Sequence, residues 1–166
     1  MFSLDEKVVY PGHGVATISR IIEKEFGGKK ASFYELVFIG KGATILVPTH
    51  CAGDSIIRPL SPESKVDEAL KVLSEPAKKI LNSEFTASNW NKRNKEYQLK
   101  LRTGDLKGLS EVYRDLRYIA RYKELSFGEK NLLLQTENLL VEEISLIQCL
   151  TQDKTMENLR SKCSCI

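Results

Sequence analysis

The chain has 166 residues, of which 42% are hydrophobic, 28% charged and 8% aromatic; this is a folded globular composition, enough for one average domain or two small ones, and not a disordered, collagen-like or membrane-embedded one. Its most apolar run, residues 131–141, is interrupted by Gln135 and Glu137 and falls short of the roughly 20 residues a bilayer requires, while the opening MFSLDEKVVY carries acids where a secretion signal is basic, so a cytoplasmic protein is expected. The net charge of +3 gives no whole-chain signature of a nucleic-acid binder.

Up to about residue 60 the pattern is that of short strands. Val8-Val9-Tyr10, then runs 15–22, 33–39, 43–47 and 55–57, are rich in β-branched and aromatic residues. Turn formers separate them: Pro11-Gly12-His13-Gly14, Gly27-Gly28, Gly40-Lys41-Gly42 and the stretch 48–54. So few residues cannot build an ordinary sandwich, but they suit a small, strongly bent SH3/Tudor-like β-barrel. Gly12-His13-Gly14 lacks the third glycine and the lysine of a phosphate loop and precedes strand-like sequence, so a tight hairpin is expected there.

From Ser61 the period becomes helical. Ser61-Pro62 reads as a cap with proline in the first turn, and Val66, Ala69, Leu70 and Leu73 follow at helical spacing. Ser74-Glu75-Pro76 predicts a short second helix ending near Asn82. Ser88 caps a third, carrying Trp90, Tyr97 and Leu101 and stopping at Thr103-Gly104. Asp105 caps a fourth, with Leu106, Leu109, Tyr113, Leu116 and Ala120 inward, and Ser126-Phe127-Gly128-Glu129 is a capping box for a long fifth helix through Leu150. The expected fold class is therefore α+β in two domains: the barrel over 1–60 and a compact all-α domain of about five helices over 61–150. Residues 151–166 are expected to be a polar tail, frayed or weakly helical.

Chemistry is scarce. Neither His13 nor His50 lies in a catalytic motif, and no nucleophile elbow or cofactor loop is present, so no enzyme and no cofactor is expected. Cys51, Cys149, Cys163 and Cys165 form no CxxC pair and no Cys/His ladder, which leaves free thiols in a reducing compartment as the expectation and no metal site. Charge distribution is more informative: residues 92–123 hold ten basic side chains against four acidic ones. On the fourth helix Lys107, Arg114, Arg117 and Arg121 fall on one arc beside the apolar stripe, as either a solubilising face or a phosphate-binding ridge. The third helix carries the chain's single tryptophan, Trp90, beside Lys92, Arg93 and Lys95. Such a ring is either a minor-groove wedge or the residue that closes the edge of the helical core.

These residues carry a family resemblance. Lys7-Val8-Val9-Tyr10-Pro11-Gly12-His13-Gly14 and Leu46-Val47-Pro48 resemble the RNA polymerase-interacting domain shared by CarD/CdnL regulators and transcription-repair coupling factors. Asn89-Trp90 with its basic followers, Gly104-Asp105 before Val112, Arg114-Asp115-Leu116, and Leu125-Ser126 with Gly128-Glu129-Lys130 resemble CarD/CdnL alone. The resemblance runs in order from residue 1 to about 150. It implies a bacterial transcription regulator whose Tudor-like domain docks on the polymerase β subunit by strand addition, through positions matching Lys24, Leu36, Leu46 and Pro48. It further implies a helical domain on promoter DNA at the upstream edge of the bubble, without sequence reading, with Trp90 as the minor-groove wedge; the bases Lys92, Arg93 and Lys95, with Arg114, Arg117 and Arg121 of the ridge, are the expected phosphate contacts beside it. Leu46 departs from members with arginine there, and Arg117 from members with a second tryptophan. A monomer with no membrane partner is expected. The alternative is a protein-interaction module that binds polymerase or another partner without touching DNA.

Overall fold

The computed structural model describes residues 2–26, 28–51, 56–77 and 87–164. The chain divides into two compact units, Met1–Leu60 and Ser61–Ile166.

In the first unit, strands β1 (Lys7–Tyr10), β2 (Gly14–Phe26), β3 (Lys29–Phe38), β4 (Thr44–Pro48) and β5 (Arg58–Pro59) form one antiparallel sheet in the order β4-β3-β2-β1-β5. A 3-10 turn, Thr49–Cys51, follows β4. The last strand follows directly after the run, 55–57, expected to form it; Ser55 is outside the described residues. Gly12 and Gly14 take positive φ of 78° and 115°, a conformation side chains resist, and the His13 N–H donates to the Tyr10 carbonyl at 3.0 Å, so the Gly-His-Gly segment is the β1–β2 hairpin. The core gathers Val8, Ala16, Ile18, Tyr34, Leu36, Phe38, Val47 and Ile57. Strands β1 to β4 pair in sequence order, and β5 returns to pair with β1, so β4 and β5 lie at the two ends of the ladder in the small N-terminal β domain the sequence implies.

One irregularity decides which side chains share a face. Ile18 opposes Leu36 and Arg20 opposes Glu35, which leaves Ser19 as an extra residue in β2. This β-bulge reverses the alternation of β2 beyond it. Before the bulge Ala16 and Ile18 point to the core; after it Arg20, Ile22 and Lys24 point away from it, in register with Glu35, Phe33 and Ala31.

The second unit contains α1 (Glu63–Ser74), α2 (Ala87–Thr103), α3 (Leu106–Tyr122), α4 (Phe127–Ile147) and α5 (Gln152–Ser164). Helix α1 starts one residue later than the sequence implies: Pro62 is its cap and offers only its carbonyl, to the Lys65 N–H at 2.9 Å. The short helix expected to end at Asn82 falls largely on residues 78–86, outside the described residues. Ser88, expected as the cap, lies within the span of α2. Asp105 caps α3 by accepting from the Gly108 N–H, and Ser126 and Glu129 close both arms of the capping box on α4. Helix α4 ends at Ile147, three residues before the expected Leu150, because Cys149 adopts the left-handed conformation (φ 53°) and the Leu150 N–H turns back to the Ser145 carbonyl at 3.0 Å.

Residues 152–164 depart from the expected polar tail by forming α5. Thr155, Leu159 and Cys163, four residues apart, form a buried stripe on α5 that joins the core of Val66, Ala69, Leu73, Tyr97, Leu101, Leu109, Val112, Leu116, Leu140 and Ile144. The helix is further pinned where Arg160 grips Glu137 of α4 through Nε and Nη2 at 2.8 and 2.9 Å, and Glu137 also accepts from the Tyr113 hydroxyl at 2.8 Å. Arg160 holds the Glu137 carboxyl below its ordinary pKa, against the opposing effect of burial. Burial pushes the Tyr113 phenol well above its own, helped by the Glu137 carboxylate. No described helix is long and apolar enough to cross a membrane.

Candidate functional site

Two surfaces carry the residues singled out above, one on each unit. On the first, Leu46 opposes Glu35 and Pro48 opposes Phe33, so both lie on the face of the sheet turned away from the core, the face to which the bulge also brings Arg20, Ile22 and Lys24. Leu46 is 38% exposed, Pro48 half-buried and Lys24 exposed. Strand β4, which carries Leu46 and Pro48, ends the sheet and so presents unpaired backbone groups along one side. Leu36 is corrected: it opposes Ile18 on the other face and is fully buried, so it supports the sheet from within.

Glu35 fastens this face at its weakest point. Its carboxylate accepts from the Ser19 hydroxyl at 2.6 Å and from Arg20 Nε and Nη2 at 2.7 and 3.2 Å, so the extra residue and its neighbour are both tied to β3. The Arg20 hydrogen bond, with that of Ser19, holds the Glu35 carboxyl below its ordinary pKa.

On the second unit, Trp90 occupies the first turn of α2. It is half-buried and packs at the margin of the helical core; a β-carbon placed on Gly128 would lie 3.6 Å from its Cζ2. The residues three and four positions from Trp90 along α2, Arg93 and Asn94, give no sign of this packing, because the neighbour at Gly128 lies on another helix. The ring therefore closes the core edge while keeping one side in solvent.

The basic residues separate into three groups. Lys92 and Lys95 are exposed, about 200° and 140° around α2 from Trp90. Arg93, one turn on from Trp90, has a side chain only 14% exposed and lies 3.7 Å from the buried Glu129. Among the remaining bases Arg102 is exposed, and several others are engaged within the unit. Lys100 pairs with Glu96 and Glu111, Lys107 with Glu68, and Lys123 with Glu129. Of the expected ridge on α3, Arg114 is corrected, because it is buried. Arg114 is 8% exposed, pairs with Asp115 and reaches the Val72 carbonyl; Arg121 donates from Nη2 to the Cys163 carbonyl at 2.8 Å; Arg117 is half-buried. Arg121 is exposed all the same, and on the apolar stripe Ala120, expected in the core, is exposed while Ile119 takes its place. Burial raises the Asp115 carboxyl despite Arg114, and pushes the Cys163 thiol up to about 11 despite the surrounding guanidinium groups.

Comparison with known proteins agrees with both units. Residues 2–61 match the CarD-like/TRCF RID domain, and residues 68–160 match the CarD C-terminal domain. Over 152 residues the chain is 28% identical to YdeB of Bacillus subtilis (strain 168), which is provisionally named a transcription factor; that alignment spans 92% of this chain and 95% of YdeB. The chain thus belongs to the CarD/CdnL family of transcription regulators, with the RNA polymerase-interacting domain at its N-terminus and the CarD C-terminal domain after it.

Proposed function

We propose that this protein acts as a monomer and without catalysis, docking on the β subunit of RNA polymerase through the edge and outer face of its sheet and stabilising the promoter open complex through Trp90. Strand β4 offers the backbone groups for strand addition, and Leu46, Pro48 and Lys24 offer the side chains that give such an edge its specificity. The observation that carries the DNA part is the chain's one tryptophan, held at the first turn of a helix with part of its ring in solvent.

The physical logic is differential binding. Unstacking a base-pair step costs about 1.4 kcal/mol. A ring that fits only the distorted fork binds the open state better than the closed one and shifts the balance by that difference. Tethering through the polymerase supplies effective concentration, so a chain of net charge +3 need not bind free duplex tightly.

A second reading, a polymerase-binding module that leaves DNA untouched, is favoured by the engagement of Arg114, Lys107 and Arg121 within the protein. Open-complex lifetime separates the two. Trp90→Ala should shorten it several-fold while polymerase capture is unchanged; equal lifetimes with intact capture would leave the second reading.

A further inference from the structure

We infer that Glu129 is a positioning residue for Trp90, and that Arg93 serves the ring from inside the protein as the α2 arm of the same device. This deepens the DNA-contact reading above and rests on it for its functional consequence.

Helix α2 is unevenly held. Its buried side chains, Tyr97 and Leu101, lie in its second half, and between Asn89 and Glu96 no residue is fully buried. Packing alone therefore fixes the helix far from the ring that is to act. What meets the first turn is the start of α4: Gly128 faces the indole, and the next residue, Glu129, faces Arg93. Trp90 and Arg93 are three apart and share a face of α2, so the two contacts lie side by side.

Glu129 is built to hold still. Its carboxylate is 1% exposed and takes hydrogen bonds from the Ser126 N–H at 2.8 Å, the Ser126 hydroxyl at 2.9 Å and Lys123 Nζ at 3.0 and 2.9 Å. The cap of α4, Lys123 at the start of the α3–α4 connection and the first half of α2 thus meet on one buried anion. An ordinary capping box needs only its serine and glutamate. Here the same acid is also surrounded by two cations from other segments, and a buried carboxylate so placed orients what it touches.

Trp90 is the only tryptophan, so its fluorescence in the full-length protein reports the device without DNA or polymerase. Arg93→Gln removes the α2 arm while leaving Lys123 and Ser126 on Glu129; Arg93→Lys keeps the charge. We expect a red-shifted emission maximum and roughly 1.5- to 2-fold greater acrylamide quenching for Arg93→Gln, with helical content unchanged, and recovery toward wild type in Arg93→Lys. Glu129→Gln, which can still accept at the cap, should give the same shift. Native-like emission and quenching in folded Arg93→Gln would overturn the inference, as would a shift that Arg93→Lys fails to reduce. A shift without any loss of open-complex lifetime would support the positioning role and count against Trp90 as the DNA contact.

Discussion

The outer face of the sheet and the Trp90 surface are held in place by different means. On the sheet, backbone register does the work: one extra residue at Ser19 turns Lys24 toward the face that bears Leu46 and Pro48, and Glu35 ties the bulge down. At Trp90 no side chain between Asn89 and Glu96 is fully buried, and the buried carboxylate of Glu129 on α4 lies 3.7 Å from Arg93, one turn on from the ring. A surface set by register tolerates side-chain change but not slippage. One set by a single ion cluster fails when a single charge is removed.

The largest effect should come from Leu36, which would break the comparison if it behaved as a surface residue. Leu36→Ala removes a fully buried side chain and should cost about 2 to 5 kcal/mol of stability, read by denaturant unfolding. Leu46→Glu, on the opposite face, should leave the unfolding midpoint within experimental scatter while weakening polymerase capture at least tenfold. If Leu36→Ala instead lowered capture with no loss of stability, the assignment of faces would be wrong.

Trp90→Ala should come next. A fully buried tryptophan costs about 3 to 5 kcal/mol on truncation, and a half-buried one should cost about 1 to 3. A value near zero would mean that the indole does not close the core edge, and a value at the top of the larger range would mean that too little of it faces solvent to act as a wedge.

Acid should affect both regions in the same direction. Glu35 is held below its ordinary pKa by Arg20 and Ser19. For Glu129, burial alone would raise the pKa, and the hydrogen bonds from Lys123 and Ser126 outweigh it, so the net shift is downward. A carboxyl with a depressed folded pKa contributes stability that is present above its unfolded value, near 4.3, and disappears as pH falls through the folded value. Stability should therefore fall below about pH 4, and Trp90 emission should shift red within that window before the helical signal is lost. A red shift already complete at pH 6 would point to a different group.

Much of this architecture was open to inspection in the chain itself. The change of period at Ser61, the Asp105 cap and the Ser126/Glu129 box are local signals, written within three or four residues, and the structure forms the two caps as written. The features that escaped are those that depend on distant partners. Alternation in β2 shows that residues are buried but not which one is doubled, so the bulge is invisible until β3 is laid beside it. Helix α5 is polar on average, yet Thr155, Leu159 and Cys163 recur every four residues, a stripe that would have identified it. The α3 ridge is of this kind too, since nothing within α3 shows what Lys107, Arg114 and Arg121 reach. Its partners, Glu68, Val72 and Cys163, stand on α1 and α5.

The smallest expected effect best separates contact from positioning. Lys92 and Lys95 are exposed on the solvent side of α2, and neither faces the Glu129 cluster. If they hold phosphates near the fork, each should contribute about 0.9 to the slope of log affinity against log salt. Lys92→Ala with Lys95→Ala should then reduce the salt dependence of open-complex stabilisation by up to about two slope units, without altering Trp90 emission or the unfolding midpoint. Arg93→Gln should do the reverse, moving the emission and leaving the slope nearly as it was, because a side chain 14% exposed and turned toward Glu129 has little to offer a phosphate. Should the double lysine variant keep the full salt slope, the phosphates are met elsewhere on the unit. Should Arg93→Gln lower the slope by a whole unit with unchanged emission, Arg93 reaches DNA directly, and the buried carboxylate serves the cap alone.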